Sequence, residues 1–449
     1  MARQPNVVVF LTDQQRWDCS ALHGNPLDLM PNFDRLAAGG THVANSFSCQ
    51  PVCAPVRSSL QLGRYATHTG VWKNGLNPDR TLPSLAGQFN DAGYATSYIG
   101  KWHLYDSGEG PPGPVPQEYR LGYQRWLASN LLEFTSDAYQ TTLYNNDDEP
   151  VELYGYRVDA CVDAAIQNVV ELSKSEQPFF LFLSLIEPHQ QNSRDDYPAP
   201  EGFRSRYEGR WMPPDLQHYR GNAHQHIAGY YGMVKRIDDA LGRLHDTLIS
   251  LDILDDTVLL FTSDHGCHFK TRNSEYKRSL HDASIRVPTM LTGGPFTGGG
   301  TVQNLVSHVD LPATLLDACG IPVPESFQGR SLLAADATWP DEVFVQISES
   351  ETGRAIRTKR WKYGVRAPGT AGNGDVEPWA PEMQETFLYD LYSDPYEIQN
   401  LVQLQSHRAL CDRLRERLLK RMVEAGEQAP VILPPDEIAQ GGQRIIPER

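Results

Sequence analysis

Four short apolar runs in this chain each stop abruptly at residues that can bind or react. Residues 6–12, NVVVFLT, run into Asp13 and Gln14; GYATSYIGKWH leads to Lys101 and His103; QPFFLFLSLIEPH ends at His189; DTVLLFTSDHG ends at Asp264 and His265. Runs of β-branched and aromatic residues with no polar alternation are the pattern of strands buried on both faces, as in parallel sheets. Helical stretches lie between them: PNFDRLAAGG with Pro31 near its start, VDACVDAAIQNVVELSK, and YYGMVKRIDDALGRLHDTLISL. Strands alternating with helices predict an α/β fold with a large, mostly parallel sheet covered by helices on both faces. Such sheets bind ligands beyond the carboxyl ends of their strands, which is where these polar residues collect.

The 449 residues are long for one hydrophobic core. From about residue 341 the texture changes to alternating strands in DEVFVQISESETGRAIRTKRWKYGVRAPG, followed by the basic helix RALCDRLRERLLKRMVEAG. The reading is a catalytic α/β domain over residues 1–340 and a smaller antiparallel sheet with a helix over 341–449. A formal charge of -16 argues against a general nucleic-acid or anionic-membrane binder, since those rely on broad basic surfaces. An anionic substrate would therefore need a local cluster of cations. No apolar run approaches the roughly 20 residues of a membrane span, and the run near the start is too short for a signal-peptide core, so a cytoplasmic location is expected. The 7 cysteines are odd in number and none has zinc-ribbon or CxxC spacing, so no disulfide framework is expected.

One cysteine has unusual neighbours. In CAPVRSSLQLGR, Pro55 suits the first turn of a helix, which sets Cys53 just before a helix N-terminus, where free amides favour anions. Arg57 falls in the same turn. Asp13–Gln14 and Asp264–His265 are two pairs of oxygen and imidazole ligands, each following a strand, although a single strand-end aspartate is more often a cap or turn residue. Oxygen-rich ligation makes Ca²⁺ the first expectation for one divalent ion, with Mg²⁺ and Mn²⁺ as alternatives. Lys101 and His103 stand two apart at a strand end, so both can face one cleft.

CAPVR with the following SSLQLGR resembles the signature of type I sulfatases, members of the alkaline phosphatase superfamily: Cys, any residue, Pro, any residue, Arg, then Leu and Gly-Arg. The resemblance implies that a formylglycine-generating enzyme oxidises Cys53 to an aldehyde whose hydrate is the nucleophile. Val56 departs from the usual serine. TDQQRWD and TSDHG resemble the family's metal half-sites, with Gln14 in place of an aspartate and His265 in place of an asparagine. They imply Asp13, Gln14, Cys53, Asp264 and His265 as metal ligands. By the same similarity Arg57 helps hold the nucleophile, Lys101 holds it with the sulfate, His103 takes the proton that expels sulfate, His189 contacts the ester oxygen, and Lys277 assists the leaving alcohol.

His268, Arg272 and His281 lie in the same stretch and are candidates for substrate selection. HVDLPATLLDACGIPVP also resembles the family, with Asp310 expected to cap the following helix. The expected reaction is hydrolysis of a sulfate monoester, on a carbohydrate or other small molecule, to alcohol and inorganic sulfate. One alternative is a phosphonate monoester or phosphodiester hydrolase, relatives that share an Asp-Gln start but lack the GKWHL pair. Another is an inactive relative that only binds sulfated glycans.

Overall fold

The computed structural model describes residues 4–108, 113–334, 338–370 and 376–439. Its main sheet has 10 strands. At the centre, Thr257–Ser263, Asn6–Thr12, Phe179–Ser184, Ala95–Lys101 and Arg125–Ser129 lie side by side in that order, each parallel to its neighbour. Antiparallel pairs flank this centre: Met290–Thr292 joins Thr257–Ser263 on one side, and Gln140–Tyr144 with Pro150–Tyr154 extends the other; beyond Met290–Thr292 lie Thr41–Val43, antiparallel to it, and Thr301–Val302, parallel to Thr41–Val43. These edge strands are too short, or too polar, to stand out as apolar runs.

Alternation along the central strands sends successive side chains to opposite faces. Val8, Phe10, Leu181 and Leu183 pack against the helices Arg157–Leu172 and Ala223–Ser250. Val7, Val9, Phe180 and Phe182 pack on the other face with Leu60, Phe89 and Leu315, from the helices Cys53–Leu62, Leu85–Asp91 and Asp310–Ala318. Both faces are thus buried, as the continuous apolar runs require.

A second sheet has 5 strands: Glu342–Ile347, Gly353–Thr358, Trp361–Arg366 and Glu382–Asp390 form an antiparallel meander, and Val431–Leu433 adds in parallel. The helix Arg408–Glu424 lays Cys411, Leu414, Leu418 and Met422 on it. The same apolar cluster takes in Val56, from the helix Cys53–Leu62, and Tyr65 just after it, with Phe344 and Ile356 from the second sheet. A serine at 56 would put a hydroxyl into that cluster, which accounts for the valine physically.

Asp310 is not a helix cap. It is the first residue of its helix, and its carboxylate accepts from the Ser307 N–H at 2.7 Å and the Arg330 N–H at 2.8 Å, so it braces two loops instead. Among the described residues no helix is long and apolar enough to cross a membrane.

Candidate active site

Cys53 is the first residue of its helix and Pro55 the third, so the proline falls in the first turn, where a missing N–H costs nothing. Val52 at the cap position offers no side-chain acceptor, and Asn74 Oδ1 takes the Ala54 N–H at 3.1 Å instead. Cys53 is 1% exposed and lines a cavity of about 580 Å³ together with His103, Asn130, Glu133, His189 and Lys277. Its Sγ lies 2.8 Å from Lys277 Nζ, 3.3 Å from His265 Nε2, 3.5 Å from Asp13 Oδ2 and 3.8 Å from Lys101 Nζ. Burial alone would raise the thiol's pKa, but Lys101, Lys277 and His265 outweigh it and hold the group well below its ordinary value.

Four strand ends deliver the surrounding polar groups. Asp13 follows Asn6–Thr12 and Asp264 follows Thr257–Ser263; the Arg57 guanidinium joins them, Nη2 to Asp13 Oδ2 at 3.1 Å and Nε to Asp264 Oδ2 at 3.1 Å. Arg57 Nη1 also donates to the Lys101 carbonyl at 3.1 Å and to Ser184 Oγ at 2.6 Å, where two more strands end. Those strands approach closely because residue 100 is glycine with φ 106°, and a Cβ there would collide with the Ser184 carbonyl. Lys101 Nζ reaches Asp13 Oδ2 at 2.8 Å and Glu133 Oε1 at 3.0 Å, with all three side chains buried. Burial and Cys53 push the Asp13 carboxyl up, yet Lys101, His189 and Lys277 hold it well below the usual carboxylate range. Asp264 moves the other way, raised by burial and by the charge of Asp13.

These donors fit a divalent cation. Ligand atoms from Asp13, Cys53, Asp264 and His265 all lie within 4.8 Å of one another, and all four residues are buried. His265 Nδ1 is 3.0 Å from the Gly266 carbonyl, so it carries the proton and leaves the Nε2 lone pair facing Asp13 and Asp264. Gln14, with φ 70°, gives its N–H to Asp264 Oδ1 at 3.1 Å, while its own Oε1 is buried with no donor among the described residues. Its Nε2 donates to Gln190 Oε1 at 2.7 Å and Tyr197 Oη at 3.2 Å, so Oε1 is the one unpaired side-chain atom of this residue and is an acceptor that a cation could use.

His103 lies just beyond its strand in a left-handed conformation, φ 62°, pinned by its N–H to the Asn130 carbonyl at 2.8 Å, with Nδ1 3.7 Å from Glu133 Oε1. His189 Nδ1 is 2.7 Å from the Gln190 carbonyl, and the residue lines the cavity. The other three loop candidates stand apart from this cavity. His268 is fully buried, pushed down to about 3 by burial, and its Nε2 lies 2.9 Å from the Lys277 carbonyl, so it supports the loop that carries Lys277. Arg272 donates to the Tyr396 and Glu397 carbonyls, and His281 pairs with Tyr389 and Ser279. Arg272 and His281 line a neighbouring cavity.

Sequence reasoning missed Glu133, Ser184 and Asn74. Glu133 sits in the short helix Leu132–Thr135, whose sequence carries no motif. Burial pushes Glu133 up, but Lys101 and then His103 and His189 outweigh it and hold it at about 2, below its ordinary 4.5. Its stabilisation is therefore complete above pH 4.5 and is lost as the pH falls towards 2. Glu133→Gln should accordingly lower Tm at neutral pH, and the gap from the parent protein should narrow steadily below pH 4.5 in a thermal-melt series.

Comparison with known proteins agrees with this arrangement. The family model described as Sulfatase matches residues 5–321, and that described as N-sulphoglucosamine sulphohydrolase, C-terminal, matches residues 274–424. The chain is 29% identical to the ulvan-active sulfatase of Formosa agariphila, over 95% of this chain and 82% of that protein. It is 23% identical to the N-acetylglucosamine-6-O-sulfatase of Bacteroides thetaiotaomicron, over 89% and 83%. Its fold matches the crystal structure of the putative sulfatase yidJ from Bacteroides fragilis with a TM-score of 0.81 at 22% identity, covering 95% of this chain and 97% of that one. With a family model spanning the whole strand-end cluster from Asp13 to Lys277, the chain belongs to the sulfatase family and is a sulfuric ester hydrolase.

Proposed function

We propose that this enzyme hydrolyses a sulfate monoester of a carbohydrate, with Cys53 converted to formylglycine by a formylglycine-generating enzyme. The observation that carries the reading is the Cys53 thiol, ringed by Lys277, His265, Asp13 and Lys101 where the helix N-terminus meets the cavity. A structural cysteine packs among apolar groups; this one is held among charges. The sulfatases of F. agariphila and B. thetaiotaomicron named above support a carbohydrate as the alcohol.

Asp13, Gln14, Asp264, His265 and residue 53 would hold the cation, and their oxygen-rich set suits Ca²⁺. Bound there, a divalent ion offsets the carboxylates and polarises an anionic ester. The hydrated aldehyde would supply two hydroxyls on one carbon, one to attack sulfur as the S–O bond to the alcohol breaks, and one whose deprotonation would re-form the carbonyl and break the C–O bond to sulfate. Lys101 and Lys277 offset the sulfate charge, and Arg57 orients Asp13 and Asp264. His189 or Lys277 protonates the departing alcohol, and His103 takes the proton of the second hydroxyl. Glu133, close to both Lys101 and His103, fixes the pair.

Gln14 after Asp13 favours one rival, hydrolysis of phosphonate monoesters. Buried Lys101 and cavity-lining His103 favour sulfate, since they supply the group that expels it. Steady-state turnover of 4-nitrophenyl sulfate against a 4-nitrophenyl phosphonate monoester decides between them. The expected kcat/KM ratio favours sulfate by about 10²-fold, comparable to one general acid–base contribution. A ratio favouring the phosphonate would replace this reading with its rival.

A further inference from the structure

We propose that a second cavity beside the first binds a neighbouring anionic sugar of the same chain, so that the substrate is an oligosaccharide carrying at least two anionic groups. This inference rests on the sulfate-ester reading above and names its substrate more closely. The second cavity has a volume of about 780 Å³ and lies between the loop 271–281 and the C-terminal sheet. Asn74, Glu275 and Arg278 line both cavities and form their common wall. Each cavity alone falls in the range of roughly 300–1,000 Å³ usual for a small-molecule site, and together they exceed it. One small ester would leave the second cavity unused.

The charges of the second cavity are sorted. Arg278 is taken by Glu349 at 2.6 Å and Glu275 at 2.9 Å, and Arg366 by Glu351 at 3.2 Å. Two cations remain. Lys73 lies 4.7 Å over the Trp72 ring, and Arg272 lies 4.2 Å over the Tyr219 ring and donates only to backbone carbonyls, with its Nε buried and unpaired. Neither has a carboxylate partner within 4.0 Å among the described residues. On a chain of formal charge -16, a cavity in which Lys73 has no carboxylate within 4.0 Å among the described residues, and in which Arg272 shares only the more distant charge of Glu397, suits an anionic sugar whose ring face meets Phe387 and whose sulfate or carboxylate pairs with Lys73.

The wall also touches the reacting centre. Asn74 takes the Ala54 N–H through its side chain and gives its own N–H to Glu349 Oε2 at 2.8 Å, so it ties the helix start at Cys53 to the second cavity. Arg278, in a left-handed conformation with φ 63°, directly follows Lys277. A sugar chain passing from one cavity to the other therefore runs along residues that hold Cys53 and Lys277 in place.

The test is calorimetric titration of the Cys53→Ala protein, which leaves the saccharide intact, with glucose 6-sulfate and with a dextran sulfate tetrasaccharide at fixed ionic strength. Glucose 6-sulfate fills the first cavity alone. The tetrasaccharide should bind at least about tenfold more tightly, the value of one well-made charged hydrogen bond. Adding Lys73→Glu should bring the two affinities to within about twofold, Lys73→Gln should fall between, and the remote reversal Lys420→Glu should leave the ratio as it was. Equal affinities for the two saccharides, or a ratio indifferent to Lys73→Glu, overturn the proposal. Failure of the sulfate-ester reading shows separately, as absent 4-nitrophenyl sulfate turnover by the modified Cys53 protein.

Discussion

Cys53→Ala should fold as the parent does and release sulfate at least about 10⁴-fold more slowly, as removal of a covalent nucleophile does elsewhere. The separation of the two effects follows from where the sulfur sits. Its near neighbours are Lys277, His265, Asp13 and Lys101, all polar, so alanine removes the proposed precursor of the nucleophile without opening a hole in an apolar core. Thermal melting and a sulfate-release assay on one preparation check both halves. A variant that keeps substantial turnover would mean that the reaction uses another nucleophile.

Asp13→Asn should produce the second large loss, and here stability should fall with activity. Asp13 Oδ2 takes both Lys101 at 2.8 Å and Arg57 at 3.1 Å, in surroundings where none of the three side chains exceeds 2% exposure. Asparagine keeps the shape and removes the charge, leaving two buried cations to share Glu133 and Asp264. Breaking a buried pair in this way typically costs about 3–5 kcal/mol. The same carboxylate belongs to the four-residue set that fits a cation, so metal content should drop together with stability. Elemental analysis of the purified variant beside a denaturation series reads both. Full metal content with unchanged unfolding would show that Asp13 does neither job.

The central sheet was legible because its strands are buried on both faces and therefore carry uninterrupted apolar runs; Asn6–Thr12 is the clearest, matching its strand residue for residue. The strand-end residues were legible for a related reason. A polar group that interrupts such a run stands out, and Asp13, Lys101 and Asp264 each do so. What stayed hidden depends on contacts distant in sequence. Glu133 is an ordinary acid in a 4-residue helix until Lys101 is brought 3.0 Å from it. Ser184 is one more small residue in a strand until Arg57 donates to it across 127 positions.

His268 shows the opposite failing. It is only three residues from His265, yet the loop turns it inward to the Lys277 carbonyl, so closeness in sequence suggested a contact with substrate where the structure has a brace. Asp310 was misjudged similarly: a helix-start aspartate usually caps its own helix, but this one is pulled to Ser307 and Arg330. Local pattern gave the position of the residue in each case, and tertiary contacts decided its partner.

The central claim is that the thiol of Cys53 is a precursor and the working group is the aldehyde made from it. Mass spectrometry of the peptide covering residues 49–64, on samples co-expressed with graded amounts of a formylglycine-generating enzyme, measures the aldehyde fraction directly, and 4-nitrophenyl sulfate turnover is read on the same samples. The account predicts turnover proportional to the aldehyde fraction and passing through zero with it. Full turnover in protein whose Cys53 thiol is wholly intact would contradict it.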